Sequence, residues 1–367
     1  VISSATYGDR LERAQRAAQE QTIGALLVTP GASLRYLTGY DALPLERLTC
    51  LVLTHRARHL VVPRLEQPAA VAAGVDRLGV DVVAWDETDD PVHLVADLVG
   101  AVQTVAVDDQ MPAAKVLGLQ TAMPGVAQVL AGPVIDALRM RKSAVEIDAL
   151  REAGAAIDRV HARMGEWLRA GRTEREVGRD IADALLSEGH ERVDFVIVAS
   201  GPNGASPHHE VSDRTIGEGE PVVVDIGGTM PSGYCSDCTR VYSIGDPGQE
   251  YREQYAALQA AQAAAVDHAR PGVSAQSVDS AARDVLVSAG LGEAFVHRTG
   301  HGIGMSTHEE PYIVQGNERE LEPGMAFSIE PGFYLEGRWG ARIEDIVVLG
   351  DARAESVNRR PHDLVIL

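Results

Sequence analysis

The sequence predicts an α/β domain followed by an α+β domain, and three observations carry that prediction. A length of 367 residues suits about two domains. The first third alternates short apolar runs with helical ones, the pattern of α/β units. The remainder groups its helices and places four carboxylates inside strand-like apolar runs. Hydrophobic residues make up 45% of the chain and charged residues 23%, which is enough apolar material for sizeable cores in a soluble protein.

In the first domain, residues 24–29, 49–55, 59–64, 80–85 and 104–109 read as strands, and 11–20, 65–74 and 91–100 as helices. No G-x-G-x-x-G follows any of these strands, so a dinucleotide site is not expected. Gly132-Pro133 breaks the pattern and sets a boundary between domains 1–132 and 133–367. Ser143 and Glu146 then form an S-x-x-E capping box ahead of apolar Ile147, Leu150, Ala153 and Ile157, which predicts a helix ending near Gly171. Thr173 and Glu176 cap a second helix running to about Leu186. Strands follow at 195–200, 221–227 and 238–244, and two alanine-rich helices at about 249–269 and 274–289, separated by Pro271-Gly272.

A formal charge of -20 disfavours nucleic acid and anionic membranes as partners but not a small peptide. No apolar run approaches the ~20 residues of a membrane span. No basic stretch followed by an apolar one opens the sequence, so no signal peptide is expected. The odd count of three cysteines fits a reducing, cytoplasmic compartment. Cys235 and Cys238 form a C-x-x-C, but strand alternation would put them on opposite faces, so they read as strand residues and not as a zinc or redox pair.

The four carboxylates are Asp225 in PVVVDIGG, Asp237 in YCSDCTRVYSI, Glu330 in MAFSIEPGFY and Glu344 in ARIEDIVVL. Carboxylates are rarely buried without a partner. Two of them 4 Å apart repel by about 4 kcal/mol at an effective dielectric near 20. If the four converge, they need cations. GGTMPSGY between the two aspartates is rich in turn formers, so a hairpin should bring Asp225 and Asp237 together. His301, flanked by glycines in GHGIG, would add a nitrogen ligand, with the glycines letting the backbone bend closely around a bound group. Two divalent ions would balance the four carboxylates, and hard oxygen donors with one imidazole suit Mn, Co, Fe or Zn. Such a pair can acidify a shared water and polarise a carbonyl, which predicts a hydrolase without a Ser or Cys nucleophile.

These residues resemble the pita-bread metallopeptidases, the group of methionine aminopeptidase, aminopeptidase P and prolidase. The likeness runs from RMRKSAVEIDALREA to RIEDIVVL and rests on the ordered set Asp, Asp, His, Glu, Glu. It implies that Asp225, Asp237, His301, Glu330 and Glu344 are metal ligands, with Asp237 and Glu344 bridging two ions, manganese being the first candidate. It implies Glu330 as general acid/base toward a metal-bridged hydroxide. His208, seventeen residues before Asp225, would donate to the scissile carbonyl, although His209 is a rival by one residue. His308 and His297 would contact substrate, and Arg342 would orient Asp237 or the substrate side. SLRYLTGYDALPLERLTCLVL resembles the N-terminal domain of creatinase, prolidase and aminopeptidase P, which points to Xaa-Pro bonds and to a homodimer.

The chain departs from that pattern in two places. Its two aspartates stand twelve residues apart, one more than usual, with the extra residue in the Gly/Pro/Ser turn. Similar dipeptidases carry Arg directly after H-E-x-P, where it would bind the carboxylate of a dipeptide; here Tyr312 follows HEEP. Dipeptides and longer Xaa-Pro peptides both stay open. The rival expectations are a metal-free, creatinase-like C–N hydrolase and a non-catalytic binding protein; the complete ligand set argues against both.

Overall fold

The computed structural model describes residues 2–367. Contacts divide the chain into two compact units, Val1–Arg139 and Met140–Leu367. The division lies beyond the expected 132/133 boundary because Gly132-Pro133 opens a helix, Gly132–Met140, instead of a linker. Proline's fixed φ suits a first helical turn.

The first unit is α/β. Its strands are β1 Ala25–Val28, β2 Cys50–Thr54, β3 Arg58–Pro63, β4 Asp81–Trp85, β5 Thr104–Val107 and β6 Ala127–Leu130. They form one mixed sheet in the order β4-β3-β2-β1-β5-β6. The central β1 is buried at every position, which is why it reads as an unbroken apolar run. The edge strand β6 is mostly exposed, so nothing in its pattern announces it. Helix Ala113–Ala122 also escapes a sequence reading, because it buries only Leu119.

The second unit is α+β. Both capping boxes form, Ser143 with Glu146 and Thr173 with Glu176, opening helices Ala144–Ala162 and Glu174–Ser187. The first stops short of Gly171 and gives way to a 3-10 turn at Met164–Glu166. Strands β7 Arg192–Ser200, β8 Glu220–Thr229 and β9 Cys235–Ile244 run antiparallel. After helices Gln249–His268 and Ala275–Ser288 come β10 Gly300–Gly302, β11 Glu309–Ile313, β12 Ala326–Ile329, β13 Gly332–Leu335, β14 Trp339–Arg342, β15 Asp345–Leu349, β16 Ala354–Ser356 and β17 Val365–Ile366. One sheet is ordered β17-β9-β8-β7 and a second β11-β10-β12-β15-β16, while β13 and β14 pair as a hairpin.

The β8–β9 hairpin positions the site. Asp225 pairs with Thr239 and Gly227 with Asp237. Directly paired residues share a face, and so do residues two apart on one strand. Asp225, Asp237 and Thr239 therefore lie on one face, together with Val223 and Val241, which pack with the Gln249–His268 helix and the second sheet. Val224, Ile226, Cys238 and Tyr242 lie on the other and pack against the helices at 144–162 and 174–187. Cys235 and Cys238 fall on opposite faces, both buried. Burial pushes the Cys235 thiol up to about 12, which disfavours a reactive thiolate.

Candidate metal centre

Five side chains converge from four places in the second unit: the β8–β9 hairpin, β10, the β12–β13 junction and the β14–β15 junction. Asp225, Asp237 and Glu344 each offer an oxygen within 4.8 Å of the others, and His301, Glu330 and Glu344 form a second such group. A third group is Asp237, His301 and His308, so Glu344, Asp237 and His301 each belong to two. Asp237 joins the first group and also stands 3.7 Å from His301 Nε2. All four carboxylates lie on the wall of one cavity of about 920 Å³, and His301 with them.

Glycine places His301. A Cβ on Gly300 would collide with the Ser328 carbonyl, and one on Gly302 with the Glu310 carbonyl. The glycines thus let β12 and β11 close on β10 from either side, rather than making room for a bound group. Ser328 Oγ accepts from the His301 amide at 2.9 Å and donates to Glu330 Oε1 at 3.0 Å, tying the two residues together. His301 Nδ1 lies 3.1 Å from its neighbour's carbonyl, Gly302 O. If Nδ1 donates there, as in a metal-ligating histidine, Nε2 offers a lone pair, and it faces Glu330 Oε1 at 3.2 Å. Two acceptors at that distance need a proton or a cation between them.

The electrostatics of the cluster show the same shortage of positive charge. Burial, then the charges of Glu344, Asp225 and Glu330, push the Asp237 pKa well above the carboxylate range. Burial, then Glu330 and Asp225, do the same to Glu344. Glu330 moves the other way. Burial opposes its ionisation, but the hydrogen bond and charge of His301, with His297 and Arg342, hold it down to about 2. Asp225 Oδ1 is buried without a hydrogen-bond partner. Such an orphan is costly unless something satisfies it. Carboxylate oxygens plus one imidazole are the donors that hard and borderline divalent ions accept, so the residues fit a metal centre.

The sequence offers Asp237 or the substrate side as the place of Arg342; its ion-pair partner is Asp225, and it stands on the cavity wall. Its Nη2 donates to Asp225 Oδ2 at 2.5 Å, Nε to Thr239 Oγ1 at 3.1 Å and Nη1 to the Tyr334 hydroxyl at 2.6 Å. Nearness in sequence to Glu344 does not reveal this, because the β13–β14 hairpin sets the direction of residue 342. Tyr334 in turn lies 2.9 Å from His297 Nε2, and His297 Nδ1 lies 2.7 Å from Arg298 O. Both nitrogens of His297 are thus engaged within the protein, although its ring lines the cavity. Tyr334, Thr239 and Ser328 escape a sequence reading; only Thr239 carried a signal, standing two residues from Asp237 on the same strand face.

His208 and His209 part company. His209 Nε2 lies 2.7 Å from Glu174 Oε2, and Glu174 also accepts from Ser200, Asn203 and Ser212. Burial opposes ionisation of Glu174, but those hydrogen bonds hold its pKa below the usual value. His208 is exposed, lines the cavity and makes no hydrogen bond among the described residues. The His308 ring packs against that of His301 at a tilt of 55°, ring centroids 4.0 Å apart. Burial by its surroundings and the charges of His301 and Arg298 push its pKa down to about 4, so near pH 7 it is neutral.

Residues 148–351 match metallopeptidase family M24, and residues 10–141 match the creatinase/prolidase N-terminal domain. A probable dipeptidase, PepE, of Mycobacterium tuberculosis is 55% identical over 363 residues, covering 98% of this chain and 96% of its own. An Xaa-Pro dipeptidase of Lactobacillus helveticus is 35% identical, covering 97% and 98%. The crystal structure of dipeptidase PepE from Mycobacterium ulcerans superposes with a TM-score of 0.95 at 56% identity, covering 100% of this chain and 99% of that one. Among the described residues no helix is long and apolar enough to cross a membrane. With its creatinase-type first domain and pita-bread second domain, the chain belongs to metallopeptidase family M24.

Proposed function

We propose that this enzyme hydrolyses the N-terminal Xaa-Pro bond of dipeptides or short peptides, with two divalent ions held by Asp225, Asp237, His301, Glu330 and Glu344. One observation carries the reading: four carboxylates and an imidazole share one cavity, where Asp225 Oδ1 is buried without a hydrogen-bond partner. The dipeptidase and Xaa-Pro dipeptidase relatives support the substrate class. When bound, the ions would supply an acidified water and polarise the scissile carbonyl.

The chain's own residues do the rest. Asp225 and Asp237 enter from one strand pair, and Asp237 and Glu344 each stand in two groups, as residues shared between two ions would. Arg342 fixes Asp225 while Tyr334 and Thr239 fix Arg342. Thr239 donates to Glu344 Oε2 at 2.7 Å. His208 reaches the carbonyl oxygen as a donor where negative charge develops. Proline's leaving nitrogen carries no hydrogen of its own and needs a proton; Glu330, ionised at rest, would take one from the attacking water and pass it to that nitrogen. His308, neutral near pH 7, contacts the substrate backbone.

The test is a rate panel on Ala-Pro, Ala-Pro-Ala and Met-Ala-Ala with Mn, Co and Zn. Cleavage of the prolyl peptides, fastest with manganese, is expected. Turnover of the methionyl peptide alone sinks the specificity, and full activity after chelation sinks the metal mechanism. A cytoplasmic homodimer accompanies this reading, and sedimentation of the purified protein checks the dimer.

A further inference from the structure

Three arginines line the cavity, and two of them are already paired. Arg342 is held by Asp225 and Tyr334, and Arg175 Nε lies 2.7 Å from Asp213 Oδ1. The third, Arg298, makes no ion pair and no side-chain hydrogen bond among the described residues. Its guanidinium lies over the ring of Tyr312, 4.5 Å from the centroid. It is half-buried, and its charge is felt by His308. A half-buried cation without an anion, in a chain of net charge -20, is out of keeping with its surroundings.

The segment that carries Arg298 is tied on both sides. His297 Nδ1 holds the Arg298 carbonyl, and Arg283 donates to the His297 carbonyl at 2.9 Å. Thr299 donates through its amide and hydroxyl to buried Asp279, at 3.0 and 2.8 Å. Arg298 is three residues from His301, within about 10 Å along the backbone even if fully extended. A guanidinium stacked on an aromatic ring uses its face and leaves its in-plane N–H donors free. Those donors match a carboxylate in fork geometry. The Tyr312 hydroxyl makes no hydrogen bond among the described residues, so the tyrosine meets Arg298 through its ring.

We propose that Arg298, held over Tyr312, takes the free α-carboxylate of a substrate that ends at proline, so the site selects dipeptides over longer peptides. This rests on the Xaa-Pro reading above. A peptide extended past proline, or a dipeptide amide, would leave Arg298 half-buried and unpaired, which is the penalised state for a charged donor.

The experiment compares kcat and KM of the metal-loaded, full-length enzyme on Ala-Pro, Ala-Pro-amide and Ala-Pro-Ala. Wild type is expected to favour Ala-Pro over its amide by roughly 10- to 100-fold in kcat/KM, the range of a charge-assisted bond. Arg298→Gln should bring that ratio near one, mainly through KM for Ala-Pro. Arg298→Lys should restore part of it, and Tyr312→Ala should lower it more than Tyr312→Phe, which keeps the ring. Metal content and melting temperature of each variant separate a lost contact from a lost fold. Equal wild-type rates on Ala-Pro and its amide overturn the inference alone, as does an Arg298→Gln enzyme with the ratio intact. No cleavage of any prolyl peptide by wild type overturns the Xaa-Pro reading and this inference with it.

Discussion

The two faces of one strand pair treat buried charge in opposite ways. On one face of β9 stands Asp237, and on the other Arg240. The same alternation separates Glu344 from Asp345, adjacent in sequence. Asp345 is buried, yet Arg240 Nη2 donates to it at 2.6 Å and His362 Nε2 lies 2.9 Å away. Burial raises its pKa, but these partners outweigh burial and hold it below the usual value. Glu344 has like charges for neighbours and its pKa rises. Burial is common to both, so burial does not decide which carboxylate is structural. The sign of the neighbouring charges does. A satisfied pair holds the fold together, and an unsatisfied group is a place to put ions.

The largest effect should come from Asp237→Ala. It removes a donor from the deficient face, so activity should fall by about a thousandfold or more, given several kcal/mol of transition-state stabilisation from the ions. Metal stoichiometry by elemental analysis should fall with it. The metal-free variant should be no less stable than metal-free wild type, because a repelled carboxylate has gone. A large loss of stability in the metal-free variant breaks the comparison.

Asp345→Ala probes the other face. It strands Arg240 in the interior, and breaking a buried pair by removing one partner costs about 3–5 kcal/mol. Arg240 also donates to the carbonyls of Thr239, Glu344 and Arg360, which should keep the loss toward the lower end. Urea denaturation of the metal-free protein measures it. Adding metal should work in the reverse sense on the first face alone. At a free ion concentration about 100 times Kd, stabilisation should be about 2.7 kcal/mol in wild type and absent in Asp237→Ala.

The contrast between faces also explains what the sequence could reveal. Alternation and turn formers were enough to bring Asp225 and Asp237 onto one face of a hairpin. Two capping boxes were enough to start two helices. Glu344 and Asp345 were harder, because adjacent acids look alike until the partner strands are placed, and Arg240's partner lies more than a hundred residues away in sequence. The pairing of Arg342 with Asp225 was out of reach for the same reason. The His208 and His209 pair needed Glu174, which in sequence is only an acid in the first turn of a helix. Edge strand β6 left no trace because exposure removes the pattern on which any reading depends.

The smallest effect sharpens the comparison through pH. His161 is buried behind β9, on the face of Arg240, with Nε2 3.1 Å from Cys238 O and Nδ1 3.0 Å from the Tyr242 hydroxyl. Burial first, then the charge of Arg240, pushes its pKa from 6.5 down to about 3. The folded chain therefore binds fewer protons at this site than the unfolded chain between about pH 6.5 and 3. Its contribution to stability is complete above that pH and is lost as the pH falls toward 3. The slope approaches about 1.4 kcal/mol per pH unit, so between pH 7 and 5 the loss is about 2 kcal/mol. Replacing the ring with an amide in His161→Gln removes the titration, whatever it does to absolute stability. The variant's stability should thus fall less than that of wild type over the same interval, by about that amount, in parallel urea titrations of metal-free protein. Parallel slopes would mean that His161 is protonated in the folded chain, and that the satisfied face is held by charge in a way its geometry does not explain.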